Sequence, residues 1–252
     1  MTCKNLNGKV VVITGGCGQV GKAAAIRFAE LGARIYIIVR SNIETAQKFV
    51  DTLPNSHAGH TALLASITDT HALQLAVQQI KEKNNQCDLL INAAGITKSV
   101  YPNSIDQYSD ETIDEILITN VRGTIAVIRE FSSLLKNSND GLIVNITSAA
   151  GHRASQSNMI YGASKIALEL VTKTTSQMFA PNVRVVSVCP GMLENATSGA
   201  HKPVGTNEKI AATIPLKRVG TADDVVATIE ALAITMKYVT GSTIMLDGGR
   251  LA

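Results

Sequence analysis

Lys9-Val-Val-Val-Ile-Thr14 runs directly into Gly15-Gly-Cys-Gly-Gln-Val-Gly21, and a helix-like stretch follows from Lys22 to Leu31. Glycines at a strand-to-helix turn let backbone approach a pyrophosphate closely, and the helix N-terminus adds free N–H groups and a partial positive charge. Gly32-Ala-Arg-Ile-Tyr-Ile-Ile-Val39 then reads as a second buried strand, so the three segments have the size of a βαβ dinucleotide unit. Outward from there, short β-branched runs alternate with helix-length segments. Strands are expected at about residues 9 to 14, 34 to 39, 61 to 65, 88 to 92, 140 to 147, 183 to 189 and 243 to 246. Such alternation predicts an α/β fold with a doubly wound parallel sheet of about seven strands, helices on both faces, and a ligand crevice at the strands' C-terminal ends. Thr14, Val39, Asn92, Ser148 and Pro190 all fall near that edge.

A second constellation lies further along the chain. Tyr161 and Lys165, in Tyr-Gly-Ala-Ser-Lys, are one helical turn apart and follow Ser148 by thirteen residues or more, while Ser148 itself ends the strand-like run Leu142 to Thr147. Residues at i and i+4 share a helix face, so Lys165 can hold positive charge near the phenol of Tyr161. A free tyrosine has a pKa near 10, and a neighbouring cation favours the phenolate, which moves the phenol towards working pH. The hydroxyl, phenol and ammonium together read as a proton-transfer site.

Bulk properties narrow the class. A chain of 252 residues with 45% hydrophobic content can bury a large core, and one domain over residues 1 to 252 is expected. Cys3, Cys17, Cys87 and Cys189 lack Cys-x-x-Cys spacing, which points to small buried thiols in a reducing, cytoplasmic compartment rather than a metal site or disulfide framework. The apolar runs are strand-sized and the first residues, Met-Thr-Cys-Lys-Asn, lack the apolar core of a signal peptide, so no membrane role is expected. A net charge of +3 dispersed along the chain, with nine aromatic residues and no tryptophan, offers no stripe for nucleic acid.

From about Asn7 to Gly249 the chain resembles the short-chain dehydrogenase/reductase family, in its compact single-domain branch. Besides the glycine turn and the Tyr161/Lys165 pair, Asn92-Ala-Ala-Gly95 resembles that family's Asn-Asn-Ala-Gly element, and Asn120 falls at its catalytic asparagine. Pro190-Gly191, Pro215-Leu-Lys-Arg-Val-Gly220, Tyr238-Val-Thr-Gly241 and Asp247-Gly-Gly249 follow in family order. The resemblance implies a Rossmann-like fold and an NAD(P)-dependent oxidoreductase acting on CH–OH and C=O groups. Tyr161 would be the general acid in reduction and the base in oxidation. Lys165 would lower the pKa of Tyr161 and bond the nicotinamide ribose, Ser148 would orient the substrate oxygen, and Asn120 would hold a proton-relaying water. Cofactor contacts are implied for Gly15, Gly18, Gln19, Val20 and Gly21 in the turn, Ser66 and Ile67 after the third strand, and Asn92, Ala93, Ala94 and Gly95. Others are implied for Pro190, Gly191, Met192 and Leu193, along with Tyr161 and Lys165. It also implies a homotetramer or homodimer built on the helices after Ser109 and Asn158 and on the last strand.

Cofactor choice is written after the second strand, in Val39-Arg40-Ser41. Enzymes using NAD place an acid there against the ribose diol; that position is apolar here, and Arg40 offers a fork suited to a 2′-phosphate. NADP(H) is therefore expected, with NAD(H) as the alternative. Three positions depart from the compact branch: Gln19 replaces a glycine, Ser66 an aspartate, and Asn195 a threonine after Pro190-Gly191. The glycine spacing itself resembles the extended branch of nucleotide-sugar epimerases and dehydratases, although the chain ends just after Asp247-Gly-Gly249.

The substrate depends on the loops after Gly95, Ser148 and Gly191, including a substrate loop at about 192 to 210. Their side chains include Thr97, Lys98, Tyr101, His152, Arg153, Gln156, Asn158, Met192, Glu194 and His201, an inventory that favours a small polar ketone or alcohol. A 3-oxoacyl-carrier-protein reductase is an alternative, but the basic positions such relatives use to grip the acidic carrier are here Asn139 and about Pro181. A sugar epimerase or dehydratase and a nonenzymatic NADP sensor complete the alternatives. A sensor would not need Asn120, Ser148, Tyr161 and Lys165 together.

Overall fold

Val11 and Ile13 face one side of the sheet, Val10 and Val12 the other, and all four are buried, so the first strand, β1 (Val10–Thr14), reads as an unbroken apolar run. The computed structural model describes residues 6–98, 105–153, 158–194 and 206–252. From β1 the chain enters α1 (Gln19–Glu30), β2 (Arg34–Val39), α2 (Ile43–Val50), β3 (Thr61–Leu64), α3 (Thr70–Lys83) and β4 (Leu89–Asn92). It continues through α4 (Asp110–Leu117), a π-helical turn at Ile118–Gly123, α5 (Thr124–Lys136), β5 (Gly141–Ile146) and α6 (Met159–Phe179). After β6 (Val183–Pro190) come α7 (Thr206–Thr213), α8 (Ala222–Ile234) and β7 (Thr243–Leu246).

All seven strands are parallel, in the order β3-β2-β1-β4-β5-β6-β7. One face packs on α1, α2 and α8 through Phe28, Val50 and Ile229, and the other on α3 and α5 through Leu73, Ile80 and Phe131. The expected single-domain, doubly wound architecture is what the chain adopts. Each expected strand is present, but those beginning at Lys9, Asp88 and Asp140 start one residue later. Lys9 and Asp88 turn their charges to one another at 2.9 Å, while ladder bonds still run from Asp88 N–H to Val10 O and from Leu142 N–H to Asp88 O. The pairing fades at that edge rather than stopping. Similarly, α1 starts at Gln19 instead of Lys22, because the helix springs straight from the glycine turn.

Two helix starts position the site. Ser109 caps α4 by accepting the Thr112 N–H, and Asn158 caps α6 by accepting from Ile160 and Tyr161 while donating to Lys98 O at 3.1 Å. The buried side of α6 is small and polar: Gly162, Ser164, Lys165, Glu169, Thr172 and Ser176 accompany a single large apolar residue, Leu168. Its outward side carries Met159, Ile166, Leu170 and Met178. Among the described residues no helix is long and apolar enough to cross a membrane.

Candidate active site

The chain leaves β1 and β4 in opposite directions across the sheet, which opens a crevice at their C-terminal ends. There the glycine turn and the post-β4 segment touch: Ala94 N–H donates to Thr14 Oγ1 at 3.3 Å, and Gly15, at φ 67°, has room for no side chain because a Cβ would stand 2.9 Å from Ala94 Cα. A Cβ on Gly21 would stand 2.4 Å from Gly15 O, so only glycine lets α1 pack into its own turn. Gly18 caps α1 without a side-chain bond, leaving the first-turn N–H groups directed outward, with Gly18 and Gln19 exposed. This cradle fits a diphosphate. Val20 and Ala93 pack against the core beneath it.

Asn120 lies in the π-helical turn and is fully buried. Its Oδ1 accepts from Ile96 N–H at 2.8 Å, and its Nδ2 donates to Ile96 O at 2.9 Å and Ser164 Oγ at 3.0 Å. The asparagine thus ties the segment after Gly95 to α6, and π turns recur at functional sites because they redirect one residue out of helical register. A Cβ on Gly95 would approach Asn120 Oδ1 at 3.2 Å and Lys165 Nζ at 3.3 Å, so both side chains converge on that exposed glycine.

Lys165 Nζ donates to Ile146 O at 2.9 Å and sits 5.6 Å from the centre of the Tyr161 ring. Ser148, two residues past β5, hydrogen-bonds Tyr161 and accepts from Ala150 N–H at 3.2 Å. The electrostatics differ from the sequence expectation that Lys165 lowers the phenol's pKa. Burial raises Tyr161 above the ordinary value, the Ser148 bond opposing it, and burial lowers Lys165 to about 8. The ammonium is spent on a backbone carbonyl, so desolvation governs both groups.

The remaining expected positions divide into open and occupied ones. Arg40 and Ser41 are exposed at the end of β2, and the Arg40 guanidinium makes no hydrogen bond or ion pair among the described residues. Ser66 Oγ bonds Thr68 Oγ1 at 2.8 Å, and Ile67 is buried against Gly123. The Asn92 side chain is buried and donates to Asn145 Oδ1 at 2.9 Å, so its amide lies inside the sheet. Pro190 is the last residue of β6, and a Cβ on Gly191 would meet Asp247 Cα at 2.9 Å. Met192, Leu193 and Glu194 then pair with Gly220. The expected substrate loop is partly helical, because α7 begins at Thr206. Tyr101, Gln156, Asn195 and His201 lie outside the described residues.

Sequence reasoning missed several tethers. Gln19 Nε2 donates to Glu194 O at 2.6 Å, tying the glycine turn to the exit of β6. Lys98 pairs with Glu115, and His152 Nε2 meets Glu169 Oε1 at 2.7 Å, so part of the polar inventory ascribed to substrate is engaged internally. Arg153 is exposed near Arg250, whose guanidinium pKa burial and Arg153 both lower.

A family model described as Enoyl-(Acyl carrier protein) reductase matches residues 18–250. The chain is 30% identical to a 3-oxoacyl-acyl-carrier-protein reductase of Thermotoga maritima, covering 97% of this chain and 98% of that protein. Among solved structures, a short-chain dehydrogenase from Burkholderia cenocepacia in complex with NADP superposes with a TM-score of 0.86 at 28% identity, over 98% of this chain and 100% of that one. An NAD+-bound xylitol dehydrogenase gives 0.86 at 26% identity with the same coverage. Sequence, sheet order and crevice agree: the chain belongs to the short-chain dehydrogenase/reductase family and is an oxidoreductase acting on CH–OH and C=O groups.

Proposed function

We propose that this oxidoreductase uses NADP(H) and interconverts a small polar ketone with its secondary alcohol in the cytoplasm, with Tyr161 exchanging the proton. The observation that carries the reading is the meeting of Ser148, Tyr161 and Lys165 at the mouth of the β1/β4 crevice, beside the glycine cradle. When bound, the nicotinamide supplies or accepts the hydride. The chain's own residues align and move a proton. Ser148 holds the substrate oxygen against the phenol, and Tyr161, kept neutral by burial, donates its proton to that oxygen in reduction and recovers it in oxidation. Lys165 and Asn120, converging on Gly95, keep α6 and the post-β4 segment in register for that transfer. Gly15, Gly18 and Gly21 would hold the diphosphate, and the exposed Arg40 would take the 2′-phosphate.

Tyr161→Phe is expected to lower turnover by about 100-fold or more while leaving cofactor affinity intact. Near-normal turnover with bound cofactor would sink the mechanism. Arg40→Ala should shift the ratio of NADPH to NADH affinities by about tenfold or more, read from nicotinamide fluorescence titrations with both cofactors. A second reading, reduction of a 3-oxoacyl thioester, draws on the Thermotoga relative. Against it, Asn139 and Pro181 stand where a basic grip on an acidic carrier is expected. Relative kcat/KM for small polar ketones and for 3-oxoacyl thioesters separates the two.

A further inference from the structure

Three side chains of different chemistry converge beside the candidate active site, from segments far apart in sequence. His152 follows Ser148 in the turn after β5, Glu169 lies one helical turn beyond Lys165 on α6, and Cys189 is the penultimate residue of β6. One ligand atom from each, imidazole nitrogen, carboxylate oxygen and thiol sulfur, lies within 4.8 Å of the other two. His152 and the Cys189 thiol both hydrogen-bond the Glu169 carboxylate, and the thiol also bonds Thr147, so nitrogen, oxygen and sulfur meet at one point. We propose that His152, Glu169 and Cys189 form a three-ligand binding site for zinc(II), with solvent in the fourth position.

The donor set suits a borderline-soft cation, and nitrogen, oxygen and sulfur are the atoms zinc takes in sites with an open position. Tetrahedral zinc with bonds of about 2.0 to 2.3 Å places its ligand atoms about 3.3 to 3.7 Å apart. The His152–Glu169 separation of 2.7 Å must widen and the outer separations, up to 4.8 Å, must close, which takes shifts of about an ångström in side chains alone. An entry path exists because the His152 side chain is 30% exposed, whereas Glu169 and Cys189 lie beneath it. Thr147 Oγ1 lies 3.4 Å from Glu169 Oε1 and also bonds the Cys189 thiol, so it borders both ligands. The Cys189 thiol, which burial keeps protonated, gives up its proton to solvent as the sulfur–zinc bond forms, with no change of oxidation state. A bound ion clamps the turn after Ser148, the helix of Tyr161 and Lys165, and the strand entering Pro190-Gly191.

The test is a titration of the untagged full chain with cobalt(II) as the spectroscopic stand-in, followed by displacement with zinc(II). One cobalt per chain is expected, with a thiolate-to-cobalt charge-transfer band that zinc abolishes. Cys17→Ser should keep the band, Cys189→Ser should lose it, and Glu169→Gln should keep the band with affinity at least about tenfold weaker. A band that survives in Cys189→Ser, uptake without a thiolate band, an unchanged affinity in Glu169→Gln, or no uptake at all would overturn the site. If Cys189→Ser fails to fold, Glu169→Gln carries the test. None of these readouts involves turnover, so failure here is distinct from failure of the proposed reaction.

Discussion

Lys165 is an ammonium held where water is scarce, and its energetics follow from that. Its native pKa of about 8 lies below the ordinary 10.5, so carrying the charge costs stability. The cost is fully present below about pH 8, fades as the pH rises from there, and is gone above the unfolded value. Lys165→Met is therefore expected to stabilise the protein at pH 7 by about 2 kcal/mol, after allowing for the lost bond to Ile146 O, and to lose that advantage at pH 10 or above. Urea unfolding at the two pH values checks the sign. Sequence made the pairing of Tyr161 and Lys165 legible, because a spacing of four on a helix needs no tertiary information. It did not make the environment legible. Whether a buried ammonium meets a phenol or a carbonyl depends on where β5 ends. Gln19, read as a departure from a glycine, likewise finds Glu194 O across 175 positions of sequence.

Helix entry does much of the positioning at the level of elements. Asn158 takes two N–H groups of α6, one of them belonging to Tyr161, and also gives a bond to Lys98 O. Asn158→Ala is expected to cost about 1–2 kcal/mol in stability, measured by denaturant unfolding, and to reduce kcat by loosening Tyr161. The strands were readable because their signal is local, β-branched runs buried on both faces, whereas Asn158 was counted among the substrate-loop side chains and is found capping α6. The π turn at Asn120 was not readable either. It inserts one residue into what local sequence reads as a continuous helix, and only the tertiary bonds of Asn120 to Ile96 and Ser164 mark it. The helix α7, from Thr206, likewise falls inside an expected loop.

Seen whole, the protomer leaves apolar side chains on the outward sides of α4 to α6, with Ile118 40%, Ile125 43%, Leu170 66% and Met178 70% exposed. A surface of this kind calls for a partner. We expect copies of the chain to associate through it into a homodimer or homotetramer, and a monomeric sedimentation profile at working concentration would refute this. The fold class was legible because seven strand-sized runs alternating with helices leave few parallel topologies. The assembly was not, since exposure is a property of packing. In α6 this arrangement is inverted from the usual one: small and polar groups face the sheet, and oil faces out. Leu168, Val171 and Phe179 still pack inward, but much of the hold of that helix comes from polar bonds of Ser164, Lys165 and Thr172. We expect the segment carrying Tyr161 and Lys165 to loosen ahead of the sheet core, so that on heating activity is lost at a lower temperature than secondary structure.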